Sequence, residues 1–255
     1  MSADLLSAVA DVARMAGDVA ASYYRKSLAV ETKGDGSPVT VADREAERTA
    51  REWITGRFPD DGIVGEEFGE QTRKGTRRWL IDPIDGTKSF VRGVPLWATL
   101  IAVCEGNDVL GGAAYFPAVG EMLAAVPGGG CWWNGTRCAV SNVSQVREAT
   151  VLTTDPRFVD QISRHERWEA LASRAMIART WGDAYGYLLV ATGRAEVMID
   201  PIMNPWDAAP FLPIIEEAGG TFSDWSGART VFGGSAVATN RALGTEVRLI
   251  LGGKA

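Results

Sequence analysis

The segment Trp79-Leu80-Ile81-Asp82-Pro83-Ile84-Asp85-Gly86-Thr87-Lys88 frames everything else in this chain. Its apolar beginning predicts a strand, after which two carboxylates three residues apart fall in a turn stiffened by Pro83. Gly86-Thr87 comes next, where a helix can begin. Asp82 and Asp85 offer hard oxygen ligands, and amides at the start of the following element can receive a phosphate oxygen. Together they suggest magnesium-dependent phosphate chemistry. The alternative is a strand closing in an acidic turn, with Asp and Gly present only for turn geometry.

Composition narrows the choice. The 255 residues are 46% hydrophobic and 23% charged, enough for a substantial core in a one-domain or two-lobe unit. Lys and Arg number 26 against 32 Asp and Glu, so the net charge of −6 carries no basic footprint for nucleic acid. An acidic cluster in an acidic protein also repels phosphate, so bound cations must invert the local field. No cationic stretch leads into an apolar leader, and no apolar run reaches membrane-spanning length, so a cytoplasmic protein without a membrane partner is expected. Cys104, Cys131 and Cys138 are odd in number and lack zinc-ligand spacing; reduced thiols are expected. His165 is the single histidine, which leaves oxygen ligands and hence magnesium or manganese. Amid Arg164, Glu166 and Arg167, it reads as a solvated helix face or subunit contact and receives no role.

From the N-terminus, residues 4–26 show helical apolar spacing. A loop at 33–38 follows, in which Lys33 either is solvated or reaches a phosphate. Thr40 and Asp43 precede a helix over about 43–57, and both residue types cap helix starts. Ile63-Val64-Gly65 leads to Glu66-Glu67, which are either surface acids or metal ligands. Beyond the framing segment come strands at 96–103, 109–115 and 121–126, and a tight turn at Asn134-Gly135. Near residue 141 the pattern becomes alternating strand and helix: strands at 149–153, 176–179 and 195–199, helices at about 157–174 and 184–193. Trp206-Asp207 opens a helix ended by Gly219-Gly220, with a kink expected at Pro213. Strands at 221–224 and 235–239 close the chain.

Four separated pieces, Gly65-Glu66-Glu67, Asp82-Pro83-Ile84-Asp85-Gly86-Thr87, Trp206-Asp207 and Glu217-Ala218-Gly219-Gly220, with Val39-Thr40-Val41-Ala42-Asp43 as a fifth, resemble the inositol monophosphatase-like, lithium-sensitive magnesium phosphatases. The resemblance runs from Lys33 to about Asp224. It implies an α/β fold of the layered αβαβα type, with an α+β lobe over 1–140 carrying the metal site and an α/β lobe over 141–255 carrying specificity. It further implies that Glu66, Asp82, Asp85 and the Ile84 carbonyl hold one or two magnesium ions, and that Asp85 and Asp207 hold the next. Two ions about 4 Å apart can stabilise both the attacking and the leaving oxygen of an in-line displacement. Thr87, paired with Asp43 or Glu66, would orient the attacking water and accept its proton, while the Gly86 and Thr87 amides grip the phosphate. A homodimer is implied as well.

Arg179-Thr180-Trp181-Gly182-Asp183-Ala184-Tyr185-Gly186-Tyr187 resembles the histidinol-phosphate branch of that family, and Asp200 aligns with an acidic position that contacts the leaving alcohol in relatives. A pocket holding Asp183 and Asp200 rewards the cationic histidinol more than an uncharged polyol. Against this stand an N-cap role for Asp183, a turn role for Asp200 before Pro201, and core packing for Trp181 and Tyr185. The expected substrate is the phosphate monoester L-histidinol phosphate, a precursor in histidine biosynthesis. Inositol monophosphate is the rival, a phosphoadenosine nucleotide a more distant one, and a structural calcium site or phosphate-sensing module the non-enzymatic reading.

Overall fold

The computed structural model describes residues 2–34, 36–159 and 161–252. The chain begins with α1 (Ser2–Tyr23), a hairpin of β1 (Val30–Thr32) and β2 (Pro38–Thr40), and α2 (Val41–Arg57). Next come β3 (Gly62–Gly65), β4 (Gly69–Gln71), β5 (Arg77–Asp85) and the single turn α3 (Thr87–Phe90). A meander of β6 (Ala98–Glu105), β7 (Asp108–Phe116), β8 (Glu121–Val126), β9 (Gly130–Trp133) and β10 (Thr136–Arg137) follows. In the second half, β11 (Thr150–Thr153), α4 (Ile162–Ala172), β12 (Ile177–Arg179), α5 (Ala184–Ala191) and β13 (Val197–Asp200) alternate. The chain then runs through α6 (Pro205–Ala208), α7 (Phe211–Glu217), β14 (Thr221–Ser223), β15 (Ala236–Thr239) and α8 (Gly244–Ile250). Asp35, in the expected loop, and Asp160, in the expected helix from 157, lie outside the described residues.

Two sheets organise these elements. The first has strand order β10-β9-β8-β7-β6-β5-β3-β4, the second β12-β11-β13-β15-β14. Strand parity explains the layering. On β6, Leu100, Ala102 and Cys104 face one way, into a core shared with α5 and α7, while Ile101 and Val103 face the other, toward α1 and α2. Both faces are covered, so β6 reads as an unbroken apolar run. Helices α4 and α8 close the far side of the second sheet around Val151, Val197 and Leu243. The result is the expected αβαβα sandwich.

The framing segment departs from its expected shape. Asp82-Pro83-Ile84-Asp85 is no terminal turn; β5 continues through it with a bulge, because Asp82 opposes Leu100 while Asp85 opposes Ala98. Three steps on one strand match two on its neighbour, so one residue is extra. On a regular strand, side chains three apart point to opposite faces. The extra residue restores a common face: Ile81 and Ile84 share the α1/α2 core, and Asp82 and Asp85 share the other side. The Pro83 carbonyl accepts the buried Thr99 hydroxyl at 2.7 Å.

The expected helix over 206–218 is also corrected. It is two pieces, α6 and α7, parted at Ala209-Pro210. Pro213 causes no kink, since it sits in the first turn of α7 where its missing N–H costs little. Gly219-Gly220 does end α7: Gly219 has φ +89, its N–H donates to Glu216, and the Gly220 N–H donates to Ile215. Helix α4 starts later than expected, after Phe158 at φ +46.

Candidate active site

Three carboxylates meet at the ends of these elements. Single oxygens of Asp82, Asp85 and Asp207 all lie within 4.8 Å of one another. Asp82 and Asp85 come from the bulged end of β5. Asp207 comes from α6, whose start is set by Asn204 as N-cap and Pro205 in the first turn. Asp207 also caps that helix, its Oδ2 accepting the Asn204 N–H at 2.9 Å. Glu66 lines the same cleft, on the segment leaving β3, with its N–H donating to the Ile81 carbonyl at 3.1 Å. The cleft, about 230 Å³, is also walled by Ile84, Gly86, Thr87 and Asp183.

Burial raises the proton affinity of Asp82, Asp85 and Asp207. Asp82 is held well above the usual carboxylate range, first by desolvation and then by the charges of Glu66, Asp85 and Asp207. Asp85 is likewise raised by desolvation, then by Asp183 and Asp207, although the Ala184 N–H donates to its Oδ2 at 2.6 Å. Burial pushes Asp207 up to about 7, against the Asn204 backbone hydrogen bond that lowers it. Like charges this close need a counter-charge. The donor set is all oxygen, without thiolate or imidazole, and it fits a hard divalent cation.

Thr87 and Asp43 form the side wall. Asp43 is buried at the start of α2, where its Oδ2 accepts both the Thr40 N–H and the Thr40 hydroxyl at 2.7 Å. The expected capping role is therefore real, and it uses one oxygen. The Thr87 hydroxyl lies 3.3 Å from the other, Oδ1, and donates to the Ile84 carbonyl at 2.9 Å. Of the two partners weighed for Thr87, Asp43 is the one in hydrogen-bond reach. Glu66 instead accepts from Lys33 Nζ at 2.7 Å, and Glu67 from the same ammonium at 2.5 Å. Lys33 is thus engaged by acids at the cleft rather than solvated. Burial works against its charge, but the two carboxylates outweigh that and raise its pKa. Gly86 caps α3 with φ +82, and a Cβ there would stand 3.0 Å from both the Leu96 carbonyl and Asp183 Oδ2. Only glycine fits that conformation and approach.

Beyond Asp85 the cleft continues into a cavity of about 140 Å³ lined by Thr154, Asp183, Tyr187, Asp200, Ile202 and Met203, among others. Asp183 stands at the N-cap position of α5, yet its side chain makes no cap hydrogen bond and its backbone has φ +49. Helix capping does not explain it. Burial, then the Asp200 charge, pushes its carboxyl up to about 6. Asp200 is no turn residue: it ends β13, buried, accepting the Thr154 N–H at 3.1 Å and the Tyr187 hydroxyl at 2.9 Å. Burial pushes it up to about 6 as well, against those hydrogen bonds.

Thr154 is the residue the sequence reading missed, and Tyr187, which ends the Arg179–Tyr187 stretch, was given no role there. Thr154 also accepts the Asp183 N–H at 2.8 Å through its hydroxyl, so one residue ties both acids together. No local signal marks Thr154; Tyr187 was visible as a tyrosine three residues into a helix that opens at the pocket. Asn204 had a signal, Asn-Pro followed by Asp at the third helical position. Tyr185 turns away, packing edge-on against Phe116 at 5.9 Å, as its core reading expected, whereas Trp181 is 42% exposed. His165 Nδ1–H donates to the Pro156 carbonyl, 3.0 Å away, outside the cleft. A larger hollow of about 570 Å³, lined by Leu5, Phe58, Leu110 and Val126 among others, contains none of the acids above.

The inositol monophosphatase family matches this chain over residues 2–250. A histidinol-phosphatase of Chlorobaculum parvum is 42% identical over 254 residues, covering 99% of this chain and 98% of that protein. A histidinol-phosphatase of Mycobacterium tuberculosis is 37% identical over 225 residues, 86% of each chain. The solved structure of the Thermotoga maritima IMPase aligns with a TM-score of 0.88 at 32% identity, covering 98% of this chain and 97% of that one. With the match running from the first helix to the last, and a shared fold beneath it, the chain belongs to the inositol monophosphatase family and is a phosphatase.

Proposed function

We propose that this chain hydrolyses L-histidinol phosphate to L-histidinol and phosphate, with two or more magnesium ions as cofactor and manganese as a substitute. Glu66, Asp82, Asp85, Asp207 and the Ile84 carbonyl would hold the cations, which supply the positive charge a phosphate needs to approach these acids and which acidify water. Thr87 would orient the attacking water and take its proton as its own hydroxyl hydrogen passes to the Asp43 carboxylate, whose Oδ1 lies 3.3 Å away. The Gly86 and Thr87 amides and Lys33 orient the phosphate. A cytoplasmic homodimer, with the lobes divided near residue 140, belongs to the same proposal.

The observation that carries the substrate choice is the second cavity. Its two carboxylates, the half-buried Asp183 and the buried Asp200, adjoin the acidic cleft and match an alcohol bearing an ammonium and an imidazole. The names of the two bacterial relatives agree with this reading. The likeness to the Thermotoga IMPase keeps inositol monophosphate as the rival substrate, because both enzymes would share the cation cleft and differ beyond it. The test is phosphate release from L-histidinol phosphate, inositol 1-phosphate and phosphoadenosine phosphate side by side in magnesium. The proposal requires the highest kcat/KM for the first; a preference for inositol 1-phosphate rejects it.

A further inference from the structure

Helix α2 carries a second buried carboxylate that the chemistry above leaves unused. Glu47 follows Asp43 by one turn, and none of its side chain is exposed. Its Oε2 accepts the Glu67 N–H at 2.7 Å; its Oε1 accepts the Phe68 N–H at 3.2 Å and the Arg51 guanidinium at 2.7 Å. It also fills the space a side chain at residue 65 would need, since a Cβ on Gly65 would lie 2.0 Å from Oε1. The segment 65–68 is therefore folded around this one anion, and Glu66 stands inside that segment. On its other side, the Glu66 N–H is fixed to the Ile81 carbonyl, one residue before Asp82.

We propose that Glu47 is a positioning residue for the cation site. By gathering the amides that follow Glu66, it fixes the backbone from which the Glu66 carboxylate reaches the cleft of Asp82, Asp85 and Asp207. A bend with its amide donors unpaired would be costly when buried, and a charged acceptor binds them more strongly than a neutral one. Helix α2 thereby serves both walls of the cleft from one face, Asp43 toward Thr87 and Glu47 toward Glu66, four residues apart. The inference rests on the reading of Glu66 as a cation ligand, and its test keeps the two separable.

The test measures Mn2+ dissociation constants by calorimetry on the full chain without substrate, thermal melts, and the metal concentration giving half-maximal phosphate release. Glu47→Gln keeps the shape and removes the charge. It should weaken Mn2+ binding about 10- to 100-fold, the usual range for partners behind a metal ligand, while kcat at saturating metal stays near wild type. Gly65→Ala displaces the Glu47 carboxylate without altering its charge, and should weaken Mn2+ binding in the same direction. Glu196→Gln is the control, a buried carboxylate remote from the cleft that accepts the Thr150 N–H at 2.6 Å and the Ser141 hydroxyl at 2.8 Å. It should lower the melting temperature without changing Mn2+ affinity. Wild-type Mn2+ affinity in Glu47→Gln, or equal losses in Glu47→Gln and Glu196→Gln, overturns the proposal. Glu66→Gln separates the two readings: if it binds Mn2+ as wild type does, the ligand assignment falls and takes the proposal with it. If Glu66→Gln weakens binding and Glu47→Gln does not, the positioning role alone falls.

Discussion

Removing one acid from the cluster should stabilise the metal-free protein while destroying its activity. Asp207 ionises near 3.8 in a free chain, but burial in the fold pushes it up to about 7. The folded state thus binds the proton more tightly. Between those two values it holds more protons than the unfolded chain, so stability falls as pH rises through the window. Above about 7 the penalty is complete, and below about 4 it vanishes. At 1.36 kcal/mol per unit, the ceiling is about 4 kcal/mol near pH 8. Asp82 and Asp85 compete for the same protons, so about 2 kcal/mol is a sounder lower figure. Asparagine keeps an oxygen to accept the Asn204 N–H, so the cap itself survives the change. For a chain of this size, about 2 to 4 °C per kcal/mol converts the gain to roughly 5 to 15 °C in Tm. The assay is a thermal melt of wild type and Asp207→Asn with chelator, near pH 8 and again near pH 5. The variant should melt higher at the alkaline pH, the gap should shrink in acid, and excess magnesium should raise wild type much more than the variant. A variant that melts lower than wild type in chelator near pH 8, and gains as much from magnesium, refutes the reasoning about mutual repulsion.

Three further outcomes follow from the same geometry. Thr87→Ala should lower kcat about 10²- to 10⁴-fold, the range for a lost proton-transfer partner, with an unchanged melt, and Thr87→Ser should recover much of it. Asp183→Asn should raise KM for L-histidinol phosphate about tenfold or more while sparing an aryl phosphate, whose leaving group carries no cation; wild-type KM should likewise rise as pH falls through about 6, where Asp183 gains its proton. Equal effects on both substrates would return Asp183 to a structural role. Among the thiols, Cys138 should be alkylated first and the buried Cys104 and Cys131 later, because Cys131 and the Arg194 charge lower the Cys138 pKa, whereas burial pushes Cys104 up to about 12 and the Cys138 contact and burial raise Cys131. Mass spectrometry of the modified peptides gives the order.

Where local rules decide structure, the sequence was readable. Strand β8 falls on Glu121–Val126 as expected, and Asn134 and Gly135, at φ +47 and +78, make the tight turn their types predict. The Gly219-Gly220 stop is equally local. The errors came where packing overrides such rules. Pro213 looked like a kink because the helix was drawn through Ala209-Pro210, and only the real break places Pro213 in a first turn. The Asp82–Asp85 bulge was invisible because it is defined by pairing with β6, a neighbour in space.

The acids of the cleft could be named from their motifs, but not their division of labour. Asp43 splits its oxygens between Thr40 and Thr87, and Asp207 between its own helix start and the cluster. Glu47 and Thr154 carry no motif at all. Their importance lies in which backbone amides they meet, and those amides are 20 or more residues away. Contacts of that range have no counterpart in spacing or composition.

Anomalous diffraction from a crystal of the protein grown with Mn2+ addresses the cation cluster directly. The account requires a manganese peak bounded by the carboxylates of Asp82, Asp85 and Asp207, with Glu66 turned from Lys33 toward it. An active crystal form whose manganese lies elsewhere, or which shows none in the cleft, contradicts it.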